Sequence, residues 1–294
     1  MIYLGVTMDY IIEGEGILKL SNKAKIGKRV RFILQEGTVV NIADHVTIGD
    51  DVKIIVTSGV VNLGSWTTIH SACLLICEDS IDIGSHCWFG QNTVIDGSGG
   101  IKIGDGVRVG MYSQLWSHVA AGERIEGCTL FGSGRVVIES DVWLVGSCTV
   151  GSGVTIGRKT VCLAHSNIVS SLPSDVVAAG SPAKVKVGLN FYRDINQDEK
   201  WEMLVDWTKD YIKSNDEIEL SFEADLMRIS SALEKVYIFK KHVDYNLKII
   251  SAQESKISLE EKCYSDINTE VVEEYIKYLS NNKARFYSEV ICCH

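Results

Sequence analysis

Acid–base chemistry near neutral pH is best served by imidazole, and this 294-residue sequence has seven histidines. Six of them lie in a six-residue repeat, in its turns or in a C-terminal stretch without repeats: His45, His70, His86, His165, His242 and His294. His118 instead opens an irregular insertion. Because rigid scaffolds usually carry chemistry on irregular loops, we expect His118 to act as a general base, with His70 as the alternative. We expect His45 and His86 to face solvent.

The elements that must position His118 follow from the repeat. An aliphatic residue followed by a small or acidic one recurs every six positions, and a small or β-branched residue follows four positions after each aliphatic. This period fits neither an amphipathic helix nor an alternating strand. Three hexads close one triangular coil, and coils start at residues 42, 63, 83, 103, 138 and 156. The main interruption is a 17-residue insertion between Leu115 and Ile138. A weaker coil around Ile26 is expected to open the stack.

Composition divides the chain near residue 190. All 26 glycines and both prolines lie at or before Gly188, and residues 191–294 carry 14 basic against 21 acidic side chains. We therefore expect two domains: 1–190, a mainly β helix of stacked coils, and 191–294, a small α+β unit. In the second, periodicity predicts helices over 198–213 and 268–281. Strands are predicted over 217–223, 235–240, 245–250 and 284–287.

Charge and hydropathy exclude several classes of function. The formal charge is −9 and the basic residues form no dense block, so a nucleic-acid partner is not expected. No apolar run approaches the roughly 18 residues of a membrane span, and the first 16 residues lack the basic start of a signal peptide. Nine cysteines in such a chain indicate free thiols and a cytoplasmic location. Cys73, Cys87 and Cys148 occupy interior positions of their hexads, where a thiol serves as a small apolar group.

The segment Val136–Lys186 carries an ordered set of motifs. Trp143 is followed by the run Gly153–Gly157, then by Pro173, and then by Gly180–Ala183. This order resembles the C-terminal coils of the hexapeptide acyltransferases, and most closely their galactoside, maltose and surface-polysaccharide O-acetyltransferase branch. The resemblance implies a left-handed parallel β-helix, a homotrimer, and acetyl-CoA as the acyl donor in the groove between adjacent helices.

The resemblance also implies roles for single residues. His118 falls where the family has its catalytic histidine. Residues that match acceptor-holding positions, or lie beside the catalytic one, are Gln91, Asn92, Asp96 and Trp116. Residues at donor-binding positions are Trp143, Ala164, Ser166 and Lys184. Glu123 and Glu126, in the same insertion as His118, either orient that histidine or only solvate the loop. No metal is expected, because a neutral imidazole suffices to take a hydroxyl proton.

We therefore expect an acetyl-CoA-dependent O-acetyltransferase that acts on a sugar hydroxyl of a surface polysaccharide or its precursor. Two alternatives stay open. An enzyme that N-acetylates a nucleotide-linked amino sugar would need a basic cluster for the pyrophosphate, and none is apparent near His118. A non-catalytic hexapeptide-repeat scaffold would have no use for His118, nor for the matching residues from Trp143 to Lys184.

Overall fold

The computed structural model describes residues 10–120, 122–215, 217–247, 251–265, 269–280 and 283–289. The chain divides into two compact units, Met1–Tyr192 and Arg193–His294. That each unit folds without the other stays a prediction.

Three parallel sheets wrap the first unit into a triangular prism. Sheet A contains Tyr10–Gly14, Val30–Leu34, Lys53–Val56, Leu74–Cys77, Val94–Gly97, Gln114–Trp116, Thr149–Val150 and Asn167–Ile168. Sheet B contains Ile17–Leu20, Val39–Ile42, Val60–Leu63, Ser80–Ile83, Ile101–Ile103, Val136–Ile138 and Thr155–Ile156. Sheet C contains Lys25–Ile26, Thr47–Ile48, Thr68–Ile69, Trp88–Phe89, Arg108–Val109, Trp143–Leu144, Val161–Cys162 and Val177–Ala179, closed by the antiparallel Lys184–Val185. This architecture is mainly β and is typical of the left-handed parallel β-helix.

The interior of the prism is filled by the aliphatic residues that define the repeat. The predicted coil-start residues stack in sheet B with at most 4% of their surface exposed: Ile42, Leu63, Ile83, Ile103, Ile138 and Ile156. The three interior cysteines are buried as expected. The weaker coil predicted around Ile26 does open the stack. Within the described residues, Tyr10–Gly14, Ile17–Leu20 and Lys25–Ile26 are the edge strands of sheets A, B and C, and each pairs in register with the next coil.

The corners of the prism depend on short turns with a fixed polar contact. Thr93 and Ser113 each donate their hydroxyl to the carbonyl three residues earlier, at 2.7 and 2.8 Å. Gly64 sits so close to the next coil that an added Cβ would lie 2.5 Å from the carbonyl carbon of Gly84. Tight stacking of successive corners therefore explains why the repeat needs small residues there.

The 17-residue insertion is a β-hairpin that leaves the prism at the edge between sheets A and B. His118–Ala120 pairs antiparallel with Phe131–Ser133, and a short 3₁₀ turn, Arg124–Glu126, lies between them. The Gly134 N–H donates to the Ser117 carbonyl at 2.8 Å and so closes the base of the hairpin. His118 is therefore the first residue beyond the rigid coil.

The second unit is α+β, with a six-stranded sheet and three helices. The strands are Glu219–Glu223, Leu226–Ser230, Lys235–Phe239, Glu254–Ser258, Cys263–Tyr264 and Tyr287–Ser288, and the helices are Gln197–Lys213, His242–Leu247 and Glu270–Ser280. The predicted strand over 245–250 was wrong: its described part belongs to the second helix, and residues 248–250 lie outside the described residues. The ends of the predicted second helix, 268 and 281, also lie outside them. Three of the strands had no counterpart in the sequence prediction.

Candidate active site

The site is organised around His118 and a buried carboxylate. His118 Nδ1 lies 2.6 Å from Asp96 Oδ2. Asp96 is fully buried on the outer face of sheet A, whereas 42% of the His118 side chain is exposed. The two residues come from successive coils, since Asp96 is in register with Trp116, two residues before His118. The coil spacing thus places the histidine directly over the carboxylate.

Four donors hold the Asp96 carboxylate. Ser98 donates to Oδ1 through its hydroxyl at 2.6 Å and its N–H at 3.3 Å. The Ser117 N–H donates to Oδ2 at 3.1 Å, beside His118. Burial alone would raise the pKa of Asp96, but the hydrogen bonds from Ser98 and His118 outweigh it, and the pKa lies below its usual value. Asp96 is therefore ionised at neutral pH.

An ionised Asp96 fixes the tautomer of His118. A carboxylate can only accept hydrogen bonds, so the proton of the neutral imidazole must reside on Nδ1. The lone pair then lies on Nε2, on the exposed side of the ring. Trp116 flanks the ring edge-on, with ring centroids 6.4 Å apart. The arrangement can accept a proton at Nε2 and stabilise the resulting imidazolium through Asp96.

The structure brings together only some of the predicted acceptor residues. Asp96, Trp116 and His118 are neighbours at the edge between sheets A and B, but Asp96 contacts the histidine instead of facing solvent. Gln91 and Asn92 lie in the turn that enters the other end of the sheet A strand. The turn at Asn92, which has a φ of 58°, and the strand from Val94 lie between Gln91 and Asp96, so Gln91 is at the far end of the strand from Asp96. A direct acceptor role for Asp96, as predicted, does not fit its complete burial.

The predicted donor residues lie on another side of the prism. Trp143 projects from sheet C with 44% of its surface exposed, and Lys184 is exposed on the closing strand of the same sheet. Ala164 is exposed in the turn that leaves sheet C. Ser166 does not fit its predicted role, because its buried hydroxyl donates to the Leu163 carbonyl at 2.6 Å and closes that turn. In a triangular prism, sheet C is the face opposite the edge that carries His118.

Comparisons with known proteins show which proteins the chain is similar to. A scan against family models finds no match. Over 125 residues, the chain is 33% identical to the colanic acid biosynthesis acetyltransferase WcaF of Escherichia coli K12. This alignment covers 42% of the chain and 66% of WcaF. Over this segment the chain is related to an acetyltransferase.

Other relatives agree with this assignment. The galactoside O-acetyltransferase of Lactococcus lactis is 29% identical over 130 residues, which cover 44% of the chain and 54% of that protein. The chain thus spans less than two thirds of the length of these curated relatives. Among solved structures, a point mutant of the N-acyltransferase AntD from Bacillus cereus, with dTDP-4-amino-4,6-dideoxyglucose and coenzyme A, has a TM-score of 0.40 at 17% identity. That similarity covers 70% of the chain and 92% of AntD.

Other histidines of the chain have surroundings less suited to proton transfer than those of His118. His45 stacks on Trp66 with centroids 3.9 Å apart, and Trp66 lies parallel to His86. His86 is 5% exposed, so its predicted solvent-facing position was wrong. Burial lowers the pKa of His70, which packs against the indole of Trp88 in sheet C. Among the described residues, no group of three or more acidic, histidine or cysteine side chains could hold a metal. No described helix is long and apolar enough to cross a membrane.

Sequence reasoning missed two residues of the site. Ser98 and Ser117 hold Asp96, and the Ser117 hydroxyl also donates to the Asp96 carbonyl at 2.6 Å while accepting from the Gly99 N–H. A signal for Ser98 was present, because a serine two residues after an aspartate commonly closes an Asx turn. Ser117 gave no signal, since its contacts join different coils. Glu123 and Glu126 are exposed on the hairpin, and Asp96 orients His118 instead.

Proposed function

We propose that this protein transfers an acetyl group from acetyl-CoA to a hydroxyl of a surface polysaccharide or its precursor, with His118 as the general base. The 2.6 Å contact between His118 Nδ1 and the buried, ionised Asp96 is the observation that supports it most strongly. The relationship to acetyltransferases that carry sugar or polysaccharide names supports the choice of substrates.

The proposed reaction needs one proton carrier. His118 Nε2 accepts the hydroxyl proton while the oxygen attacks the thioester carbonyl carbon, and Asp96 stabilises the imidazolium. The tetrahedral intermediate then loses the thiolate of CoA as the carbon–sulfur bond breaks. The imidazolium returns its proton to that sulfur, so the histidine ends neutral. Acid–base assistance of this kind contributes roughly 10²–10⁴-fold to rate.

We further propose that the site is completed by a second copy of the chain. His118 lies at the edge between sheets A and B, whereas the donor candidates Trp143 and Lys184 lie on the opposite face. When the edge of one copy meets the sheet C face of the next, the contact is heterologous, and such contacts form closed rings when the rotation closes. A ring of three prisms agrees with the homotrimer that the family resemblance implies. A monomeric mass for the active protein would exclude this arrangement.

Activity measurements test the base. The protein and His118→Ala are incubated with acetyl-CoA and a panel of sugars, nucleotide sugars and polysaccharide fragments, and thiol release is measured. We expect the variant to lose about two to four orders of magnitude in kcat with a hydroxyl acceptor, with little change in the KM for acetyl-CoA. His70→Ala serves as the control and should retain turnover. Transfer only to amino sugars would show that the acceptor group is an amine and not a hydroxyl. No transfer to any acceptor would indicate a non-catalytic scaffold.

Mixed assemblies test the composite site. His118→Ala and Trp143→Ala chains are co-expressed in equal amounts and purified as mixed oligomers. If base and donor residues come from different copies, random mixing restores about one quarter of the sites, because each needs an intact edge and an intact face. If one chain supplied both, the mixture would show only the average residual activity of the two variants.

A further inference from the structure

A shallow cleft of about 560 Å³ lies on the outer face of sheet B, several coils from His118. Its lining includes the core residues Ile42 and Leu63, and the small residues Ala43 and Gly64 at the edge between sheets B and C. Asp44 also faces the cleft and accepts a hydrogen bond from the Ser21 hydroxyl at 2.5 Å. The cleft thus has small residues at its base and polar groups beside them.

A row of polar side chains begins in this cleft, where Lys19, Asn41 and Asn62 line it, and extends beyond it to Asp82. Lys19, Asn41, Asn62 and Asp82 occupy register positions on four successive coils. Asn41 Nδ2 donates to Asn62 Oδ1 at 2.7 Å, and Asn62 Nδ2 donates to Asp82 Oδ1 at 2.7 Å. We call these four residues the polar row.

The direction of the hydrogen bonds in the polar row is fixed by Asp82. A carboxylate only accepts, so Asn62 must present its NH₂ group to Asp82, and Asn41 must then present its NH₂ group to Asn62. Each amide nitrogen keeps a second N–H beyond the row. Asn41 Oδ1 is left as an acceptor at the end next to Lys19. The row therefore offers fixed donors and acceptors on a rigid surface.

The polar row continues to the base of the hairpin that begins at His118. Arg135 Nη2 lies 3.4 Å from Asp82 Oδ2, and Arg135 directly follows Gly134, which closes the hairpin against Ser117. Asn41 lies four coils from Val137, the register position beside the hairpin. At the usual spacing of roughly 4.8 Å between strands, this is about 19 Å. A ligand that occupies the cleft and reaches His118 must therefore be an extended chain.

We propose that the cleft and the polar row bind a hydroxyl-rich oligosaccharide segment of the acceptor, so that the acceptor is a glycan chain and not a nucleotide-linked monosaccharide. Sugar hydroxyls both donate and accept, which matches the fixed amides of Asn41 and Asn62. The distance of about 19 Å from the cleft to the hairpin favours a chain of several sugars over a single one. The proposal rests on the proposed function for the group placed at His118, but the binding itself requires neither His118 nor an acetyl donor.

Binding to oligosaccharides separates the polar row from catalysis. An array of fragments of bacterial surface polysaccharides, from monosaccharides to hexasaccharides, is probed with wild type, His118→Ala, and the double variant Asn41→Ala/Asn62→Ala. Thr47→Ala/Thr68→Ala is the matched control, because these threonines are in register on sheet C of the same two coils. We expect wild type, His118→Ala and the control to bind long chains more tightly than monosaccharides. The double variant should lose about tenfold in affinity for long chains, as two hydrogen-bonding amides are removed.

Three results would overturn the proposal: no binding of any fragment by wild type, equal affinity for monosaccharides and long chains, or equal behaviour of the double variant and its control. If the double variant has a lowered melting temperature, Lys19→Ala removes another side chain that lines the cleft while leaving both hydrogen bonds of the row in place, and it should weaken long-chain binding alone. If long chains bind as expected but wild type transfers acetyl to none of them, the oligosaccharide site stands and the proposed acetyl transfer fails.

Discussion

Replacing Asp96 with asparagine would remove a charge from the candidate site while keeping each hydrogen-bonding position occupied. At the Oδ2 position, the fixed Ser117 N–H and His118 Nδ1–H both donate, so an amide NH₂ group is excluded there. At the Oδ1 position, the Ser98 hydroxyl can rotate from donor to acceptor, so that only the long 3.3 Å hydrogen bond from the Ser98 N–H is lost. The new amide should therefore point its carbonyl at His118 and its NH₂ group at Ser98. The orientation and tautomer of the imidazole are then preserved.

The expected loss comes from charge alone. A hydrogen bond to a charged partner contributes about 1.5–3 kcal/mol, against about 0.5–1.5 kcal/mol for a neutral one. The difference of roughly 1–2 kcal/mol predicts a kcat lower by about 5- to 30-fold, since 1.36 kcal/mol corresponds to a factor of ten. Asp96→Ala should cost more, approaching His118→Ala, as it also leaves Nδ1–H without an acceptor.

The assay is steady-state thiol release with a hydroxyl acceptor over pH 5–9, on protein whose melting temperature is also measured. Ser98→Ala is the companion variant, since it should weaken the hold on Oδ1 yet leave the contact with His118 in place. A raised acceptor KM with unchanged kcat in Asp96→Asn would refute the reasoning. It would mean that Asp96 binds the acceptor, as the family resemblance implied, and does not support the histidine.

Three further predictions concern the scaffold. Ile156→Ala should lower the free energy of unfolding by about 2–5 kcal/mol, whereas Thr155→Ala, on the outer face of the same strand, should change it little in chemical denaturation. Burial raises the pKa of Cys73 and Cys77 to about 11 and that of Cys162 to about 12. Their thiolate fraction at pH 8 is therefore about one in a thousand or less, so mass-mapped alkylation should spare these residues in the native protein and label them all in urea. A chain ending at residue 190 should stay soluble and retain the circular dichroism of the coils; its aggregation or unfolding would show that the first unit depends on the second.

The prism was predictable because the sequence itself repeats with the six-residue period of the coils. Each coil buries one apolar residue per face, so the positions of Phe89 and Ile95 follow from Ile83 by counting sixes. The opening coil gives a weaker signal because, of its three strands, Lys25–Ile26 alone ends in the Ile–Gly step of the later coils. In the second unit, strand or helix over 245–247 is decided by packing within that unit, which a short run of mixed polar and apolar residues does not encode.

The sequence points to His118 as the candidate base, but not to the contact that Asp96 makes with it. His118 stands out because it begins an irregular segment, whereas Asp96 lies 22 residues away within a regular hexad. Only the stacking of one coil on the next brings the two together. Ser166 shows the opposite error, since a serine in a family motif can serve the turn by donating to Leu163 instead of meeting a substrate. Motif matching assigns positions, but burial decides which side chains reach solvent.

The hairpin that carries His118 begins and ends at one edge of the prism. Its two strands are paired from His118 and Ser133 onward, and the Gly134 N–H joins the Ser117 carbonyl across its base. The coil below is then continued by Val136–Ile138 in normal register with Ile101–Ile103. The helix is thus interrupted in sequence but not in space. The hairpin can therefore be lengthened, shortened or replaced by a tight turn while the spacing of the coils stays the same. The segment beside His118 can vary in this way without changes in the scaffold.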